Sequence, residues 1–264
     1  MLEVWCGDCL NLMERICDNS IDMILCDLPY GCTRNTWDTQ LPMDLLWSEY
    51  IRIAKPHCPI ILFASGMFTA QLMMSKPDLW RYNLIWEKST PTGFLNAKRM
   101  PLRAHEDICV FYKRLPIYNP QMEKGRRKVS SRKHKRNCSH GSSYGEYANV
   151  SYDSSDRYQK SVLHYSTDKQ TCSLHPTQKP VNLCEWLIKT YSNEGDVILD
   201  NCMGSGTTGV ACLNTRRSFL GIEKDYEIFT TATKRLKDEL EASESNELLV
   251  EIFSRRLGII LIPR

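Results

Sequence analysis

Residues 196–209 read Asp196-Val197-Ile198-Leu199-Asp200-Asn201-Cys202-Met203-Gly204-Ser205-Gly206-Thr207-Thr208-Gly209. The apolar run at the start is a short buried strand, residues 200–206 are a glycine-rich turn, and a helix spans about 207–215. A second strand, 218–222, leads into Glu223, and a further helix starts near Asp225. Together these make a βαβ-like unit. Glycines let the backbone approach a ligand closely, and a helix N-terminus offers unpaired N–H groups to an anion. Gly204-x-Gly206-x-x-Gly209 also matches the dinucleotide fingerprint, with Glu223 placed to hold ribose hydroxyls. Taken alone, the turn fits a nicotinamide, a flavin or an S-adenosylmethionine (SAM) enzyme; the placing of Glu223 favours these over a tight turn without a ligand. No G-x-x-x-x-G-K-[ST] occurs, which argues against a P-loop NTPase.

Working outward, SIDMILC (20–26) and PIILFA (59–64) read as buried strands. RYNLIW (81–86) and DICVFY (107–112) add two more. Helical periodicity marks 42–55, the Met-rich stretch after Gly66 and the residues after Pro180. Strands alternating with helices predict an α/β fold: a mostly parallel, Rossmann-like sheet with helices on both faces. From Lys113 to about Asp168 apolar periodicity is lost and Arg, Lys, Ser, Tyr and His take over. The expected organisation is therefore 1–112, an insert at 113–170, and 171–264. The final GIILIPR reads either as a last strand or as a packing arm.

Bulk composition hides this division. The 264 residues carry 34 Lys and Arg against 31 Asp and Glu, a net charge of +3. Residues 113–136 alone hold ten basic residues and one acid, Glu123, so the other 240 sum to −6. Such a basic run binds phosphates with counterion release, although a solvated charge run has the same composition. Tyr144, Tyr147, Tyr152 and Tyr158 follow it, suited to stacking on bases or to packing a small domain. No apolar run is long enough to span a membrane, and the N-terminus has no apolar signal core. A cytoplasmic location with reduced thiols is expected for the twelve cysteines. Cys6-x-x-Cys9 lacks a second pair at zinc spacing, so no metal is expected.

Asp27-Leu28-Pro29-Tyr30 closes the strand at 20–26. In an open parallel sheet, ligands bind at the carboxyl ends of strands, so this turn faces the same crevice as the glycine turn. The exocyclic amine of a nucleobase is a poor nucleophile because its lone pair is delocalised into the ring. A carboxylate and a backbone carbonyl that accept its two N–H bonds turn that lone pair outward. Pro29 stiffens the turn and keeps Leu28 extended. Tyr30 offers a ring for stacking on an extruded base. The plainer reading is a Pro turn whose Asp caps the next element.

At this point the chain resembles the DNA amino-methyltransferases of the beta arrangement, in which the catalytic DPPY-type motif precedes the target-recognition region and the SAM loop. Asp27-Leu28-Pro29-Tyr30 is similar to the catalytic motif, and His175-Pro176-Thr177-Gln178-Lys179-Pro180 matches the family's HPTQKP segment. Leu199-Asp200 through Thr208 resembles the DPFxGSGTT loop, Gly221-Ile222-Glu223 the ribose-binding strand end, and Gly7-Asp8 the early GD element. Trp86-Glu87-Lys88 and His105-Glu106-Asp107 resemble intermediate segments. Two departures stand out: Leu28 replaces the first Pro, and Asn201-Cys202 replaces Pro-Phe.

The resemblance implies a SAM-dependent methyltransferase fold with a small basic target-recognition insert. It implies SAM as cofactor and direct transfer to adenine N6 in DNA, with cytosine N4 as the alternative. Asp27, Leu28, Pro29 and Tyr30 become catalytic candidates. Asp8, Lys179, Asp200, Gly204, Ser205, Gly206, Thr207, Thr208 and Glu223 become cofactor-binding candidates, with Asp8 on the adenine and Lys179 near the cofactor carboxylate. Arg126, Arg127, Lys128, Arg132, Lys133, Lys135 and Arg136 become DNA-binding candidates. A homodimer and a cognate restriction endonuclease are further partners that fit. Two rivals are a NAD(P)-dependent oxidoreductase and a DNA-binding protein without catalysis; neither gives Asp27 and Tyr30 a role.

Overall fold

The computed structural model describes residues 1–31, 38–126, 128–130, 153–166, 178–244 and 259–262. The chain divides into a large unit, Met1–Asn119 with Ser161–Arg264, and a small one, Pro120–Lys160.

The large unit is built on a nine-stranded sheet. Its strands are β1 (Leu2–Cys6), β2 (Met23–Cys26), β3 (Ile60–Ala64), β4 (Trp80–Thr92), β5 (Arg103–Phe111), β8 (Val162–Tyr165), β9 (Val197–Asp200), β10 (Ser218–Glu223) and β11 (Ile259–Ile262). Their spatial order is β11-β1-β10-β9-β2-β3-β5-β4-β8. Neighbours run parallel except where β5 pairs antiparallel with β3 and β4. The mostly parallel Rossmann-like arrangement expected from the sequence is the one observed.

Alternation along the central strands sorts the core into two layers. Met23, Leu25, Ile61 and Phe63 point to one face. There they meet α4 (Val181–Tyr191), α5 (Thr207–Asn214) and α6 (Tyr226–Glu244) through Leu183, Leu187, Val210 and Leu236. Ile24, Cys26, Ile60 and Leu62 point to the other face. Their partners lie on α1 (Cys9–Met13), α2 (Met43–Ile53) and α3 (Met67–Ser75), among them Leu46, Tyr50, Phe68 and Leu72. Helices on both faces explain why MILC and IILFA are wholly apolar: a covered parallel strand has no wet side.

Two strands of this sheet lie beyond the expected set, and a third settles an open alternative. β1 alternates Leu2 and Val4 with Glu3, too short a pattern to stand out, yet it pairs with β10 from Leu2↔Phe219 to Cys6↔Glu223. Val162–Tyr165, inside the expected 113–170 insert, pairs with β4 in the main sheet. Ile259–Ile262 pairs with β1, which resolves the tail as an edge strand. The expected strands at 81–86 and 107–112 are the inner parts of a longer hairpin.

In the small unit, β6 (Val129–Ser130) pairs antiparallel with β7 (Asp153–Ser154). Reciprocal backbone bonds join Glu123 and Arg157 at 2.8 and 2.9 Å. Among the described residues no helix is long and apolar enough to cross a membrane.

Close packing of α5 on α6 depends on glycine. A Cβ at Gly209 would lie 2.7 Å from Leu236 Cδ2 and 2.8 Å from Phe219 Cε1, both in the core. Gly209→Ala should cost about 1–3 kcal/mol, read as a lowered midpoint in urea unfolding. An unchanged midpoint would contradict this packing.

Candidate active site

The chain leaves β2 toward β3 on one side of the sheet, and leaves β9 toward β10 and β1 on the other. The β2–β9 neighbours, paired at Met23↔Ile198 and Ile24↔Leu199, are therefore the topological switch point. Ligands of open α/β sheets bind outside such a point, at the carboxyl ends of the strands. Both turns singled out in the sequence begin there, one at Asp27 and the other at Asp200.

In the first turn, Leu28 is 2% exposed and belongs to the core beside α2 and α3. A buried side chain thus anchors the position where the family motif has a ring. The Tyr30 carbonyl accepts from Gln40 Nε2 at 2.7 Å, and Gly31 N donates to Asp38 at 2.8 Å. Asp27 caps none of the described helices. Its Oδ1 accepts from the Tyr30 hydroxyl at 2.8 Å, and its Oδ2 accepts from Lys179 Nζ at 2.6 Å. The Tyr30 ring stacks on Phe68, centroids 4.8 Å apart and planes 23° from parallel.

Lys179 lies beside this turn. Its buried ammonium needs anions within reach, and it lies between Asp27 and Glu106 Oε2, the latter at 3.2 Å. Burial alone would lower its pKa, but the two carboxylates outweigh burial and hold it raised and protonated. Its partners within the chain are thus two carboxylates, one of them at the head of the Asp-Leu-Pro-Tyr turn. Glu106 also pairs with Lys88. Burial pushes the Glu106 carboxyl up, yet Lys179 and Lys88 overcome it and bring its pKa below the ordinary value. Sequence reading assigned no role to Glu106, Lys88 or Phe68. The first two lie in the intermediate segments noted above, and only strand register, Trp86↔Glu106, brings them together.

The glycine turn is held from three sides. Asp200 is 4% exposed and accepts from Cys202 N at 3.2 Å. Burial raises its pKa to about 6, against opposing bonds from Thr208, Cys26 and the Cys202 N–H. Asn201 occupies the place of the motif's Pro, and its Oδ1 accepts from the buried Tyr50 hydroxyl at 2.6 Å. Gly204 and Gly206 have φ of +51° and +79°, and open space surrounds a Cβ built on Gly204. Ser205, Thr207 and Thr208 are buried, and Arg235 donates to Ser205 O (3.1 Å) and Thr207 Oγ1 (3.3 Å). Their side chains brace the turn from behind. Across it, Glu223 accepts from Gly204 N (3.0 Å) and Asp225 N (2.8 Å), and burial raises its pKa against those bonds. Asp8 caps α1 through Leu10 N at 3.1 Å and pairs with Lys224 at 3.2 Å.

Of the basic candidates, Arg126 pairs with Glu123 at 2.6 Å on the surface, and Lys128 is exposed. Arg127, Arg132, Lys133, Lys135, Arg136, His175, Pro176 and Thr177 lie outside the described residues, as do Tyr144, Tyr147 and Tyr152. Cys6, Cys9 and Cys26 are buried thiols. Among the described residues no group of three or more His, Cys, Asp or Glu could hold a metal ion.

A Rossmann-like sheet with an acidic Pro-Tyr turn and a glycine turn at one switch point defines a methyltransferase by its architecture. Residues 21–234 match the DNA methylase family of N6/N4 methyltransferases, and the chain belongs to that family, a DNA methyltransferase with SAM as methyl donor. It is 27% identical to the type II methyltransferase M.HpaI of Haemophilus parainfluenzae over 91% of this chain and 76% of that one. To M2.MboI of Moraxella bovis it is 26% identical, over 94% and 92%. The structure of the M1.HpyAVI–SAM complex shares its fold, with a TM-score of 0.61 at 23% identity, covering 89% of this chain and 99% of the other.

The Asp200 displacement has a definite sign. A raised carboxyl pKa means the folded state binds the proton more tightly, so stability is fully present below the ordinary 3.8 and is lost as pH rises through about 6. Asp200→Asn removes the titration. Its stability relative to the parent should rise by about 2 kcal/mol between pH 4 and pH 7. Denaturant titrations of both proteins across that range measure it, and a flat difference would refute the buried ionised Asp200.

Proposed function

We propose that this protein transfers a methyl group from SAM to the exocyclic N6 of adenine, in a base flipped out of duplex DNA. The observation that carries the reading is the Asp27 carboxylate at the switch point, fixed by Lys179 and Tyr30. Each carboxylate oxygen has a second lone pair, so Asp27 still has acceptor capacity for an amine N–H. The Leu28 carbonyl is the candidate for the other. With both N–H bonds directed into the turn, the nitrogen lone pair points away from it. Tyr30, backed by Phe68, presents its ring to the flipped base. Asp rather than Ser at the head of the turn favours adenine over cytosine.

The residues fit SAM better than a dinucleotide. SAM supplies a methyl group on a sulfonium, which is a good leaving group, so the protein mainly positions and orients the reactants. SAM also carries an ammonium and no pyrophosphate. The glycine turn is flanked by two desolvated acids, Asp200 and Glu223, which favour a cationic ligand and would repel a pyrophosphate. Glu223 and Asp8 are assigned to the ribose and adenine, and the turn from Asp200 to Gly206 to the methionine end.

The basic segment of the insert is assigned to DNA. Arg126 needs only to exchange an exposed ion pair, worth about 1 kcal/mol or less, for a phosphate. The likeness to type II methyltransferases supports a cognate restriction endonuclease as functional partner, and a homodimer fits the same reading. The setting consistent with this reading is the cytoplasm, where the DNA is.

Nucleoside mass spectrometry of DNA from cells expressing the protein should show N6-methyladenine. N4-methylcytosine would move the target to cytosine, and neither base would overturn the reading. Asp27→Ala should lower transfer by at least about 100-fold while DNA binding survives, whereas undiminished transfer would remove Asp27 from the mechanism.

A further inference from the structure

The hairpin of β4 and β5 outruns the sheet. β3 pairs with β5 only as far as Ala64↔Asp107, while β4 and β5 remain paired to Thr92↔Arg103. On the outer side β8 accompanies β4 only to Lys88↔Tyr165. β2 and β3 are parallel, and Asp27 follows the last residue of β2 directly. The hairpin therefore projects from the same edge of the sheet that carries Asp27. Four residues separate Arg103 from Asp107, about 13 Å of free strand.

Its tip is ordered but uncovered. Gly93 (φ +92°) starts a single 3-10 turn, Phe94–Asn96, and Arg99 N and Met100 N both bond to Asn96 O, at 2.8 and 3.0 Å. Every residue from Ser89 to Arg103 is exposed, including Phe94 at 81% and Leu95 at 97%. From Ser89 through His105 there is no acid, while Lys98, Arg99 and Arg103 supply three cations. Large apolar groups held in water on a defined turn contribute nothing to this chain's own core. Flanked by cations alone, they match a polyanion with apolar faces between its charges. Duplex DNA has that chemistry.

We infer that this hairpin tip is a DNA-contacting wedge. Lys98, Arg99 and Arg103 take phosphates beside the target, and Phe94 or Leu95 fills the gap that an extruded base leaves in the stack. Unstacking costs a few kcal/mol per step, and an apolar side chain in the vacated space offsets part of it. The inference rests on the DNA-methylating, base-flipping reading above.

The test uses the full chain and a duplex holding the site mapped from methylated cellular DNA. Phe94→Ser with Leu95→Ser should lower transfer on this duplex at least 10-fold and diminish the fluorescence rise of 2-aminopurine at the target position. Transfer should recover when the target base is mismatched and flips easily. Lys98→Ser with Arg99→Ser should reduce the slope of log K against log salt by about 1–2, since each phosphate contact contributes about 0.9. Both changes lie on exposed side chains, and circular dichroism checks the fold. Wild-type salt slope and 2-aminopurine signal in both variants would overturn the wedge. So would a serine pair that turns a dimer into a monomer with transfer per site unchanged, which would make the tip a contact between copies. Absence of transfer by the parent protein would instead overturn the functional reading.

Discussion

Two parallel strands, β2 and β9, lie where the chain departs toward opposite edges of the sheet. Crossover connections leave on either side of this pair, and the crevice of an open α/β sheet lies outside the carboxyl ends at such a point. Everything chemical in the large unit is referred to that crevice. The apolar runs that form β2 and β9 are thus the reason that Asp27 and Asp200, far apart in sequence, begin turns at neighbouring strand ends. Lengthening or slipping either strand by one residue would also exchange its two core layers, because side chains alternate faces. The register of the core and the location of the site are one constraint.

Around the crevice, charge is arranged by burial. Lys179 sits between Asp27 and Glu106, and Glu106 in turn takes Lys88, so the buried charges compensate in pairs. Buried ion-pair networks of this kind fix side-chain orientation, whereas the loss of one member leaves a buried charge exposed to the full desolvation cost. The glycine turn follows a different rule: among the described residues Asp200 and Glu223 are desolvated without an ion-pair partner and are held by N–H and O–H donors instead. One side of the crevice is electrostatically complete and the other has room for positive charge.

Much of this was legible in the sequence because it is local. The central strands are unbroken apolar runs, and Asp27 with Tyr30, or Gly204 with Gly206, fall within single turns. What escaped is long-range or weakly patterned. β1 and β8 are short, and each pairs on only part of its length's evidence: Glu3 and His164 interrupt the apolar signal. The Lys179–Asp27 bond spans 152 positions, a separation that no local pattern reports. Glu106 meets Lys88 only through the antiparallel register of a hairpin whose length apolar periodicity understated, since its outer half is polar and exposed.

The thiol content takes on a different meaning once placed in the fold. Cys26 lies one residue before Asp27, and burial pushes its thiol up to about 12; Cys9 and Cys202 are raised beside it. A thiol in that condition is neither nucleophile nor ready redox partner at neutral pH. Alkylation at Cys9 or Cys26, both buried, would demand that the core beside β2 open first. The rate at which these two thiols are labelled would then time the opening of the strand that carries Asp27, a clock for local unfolding at the site.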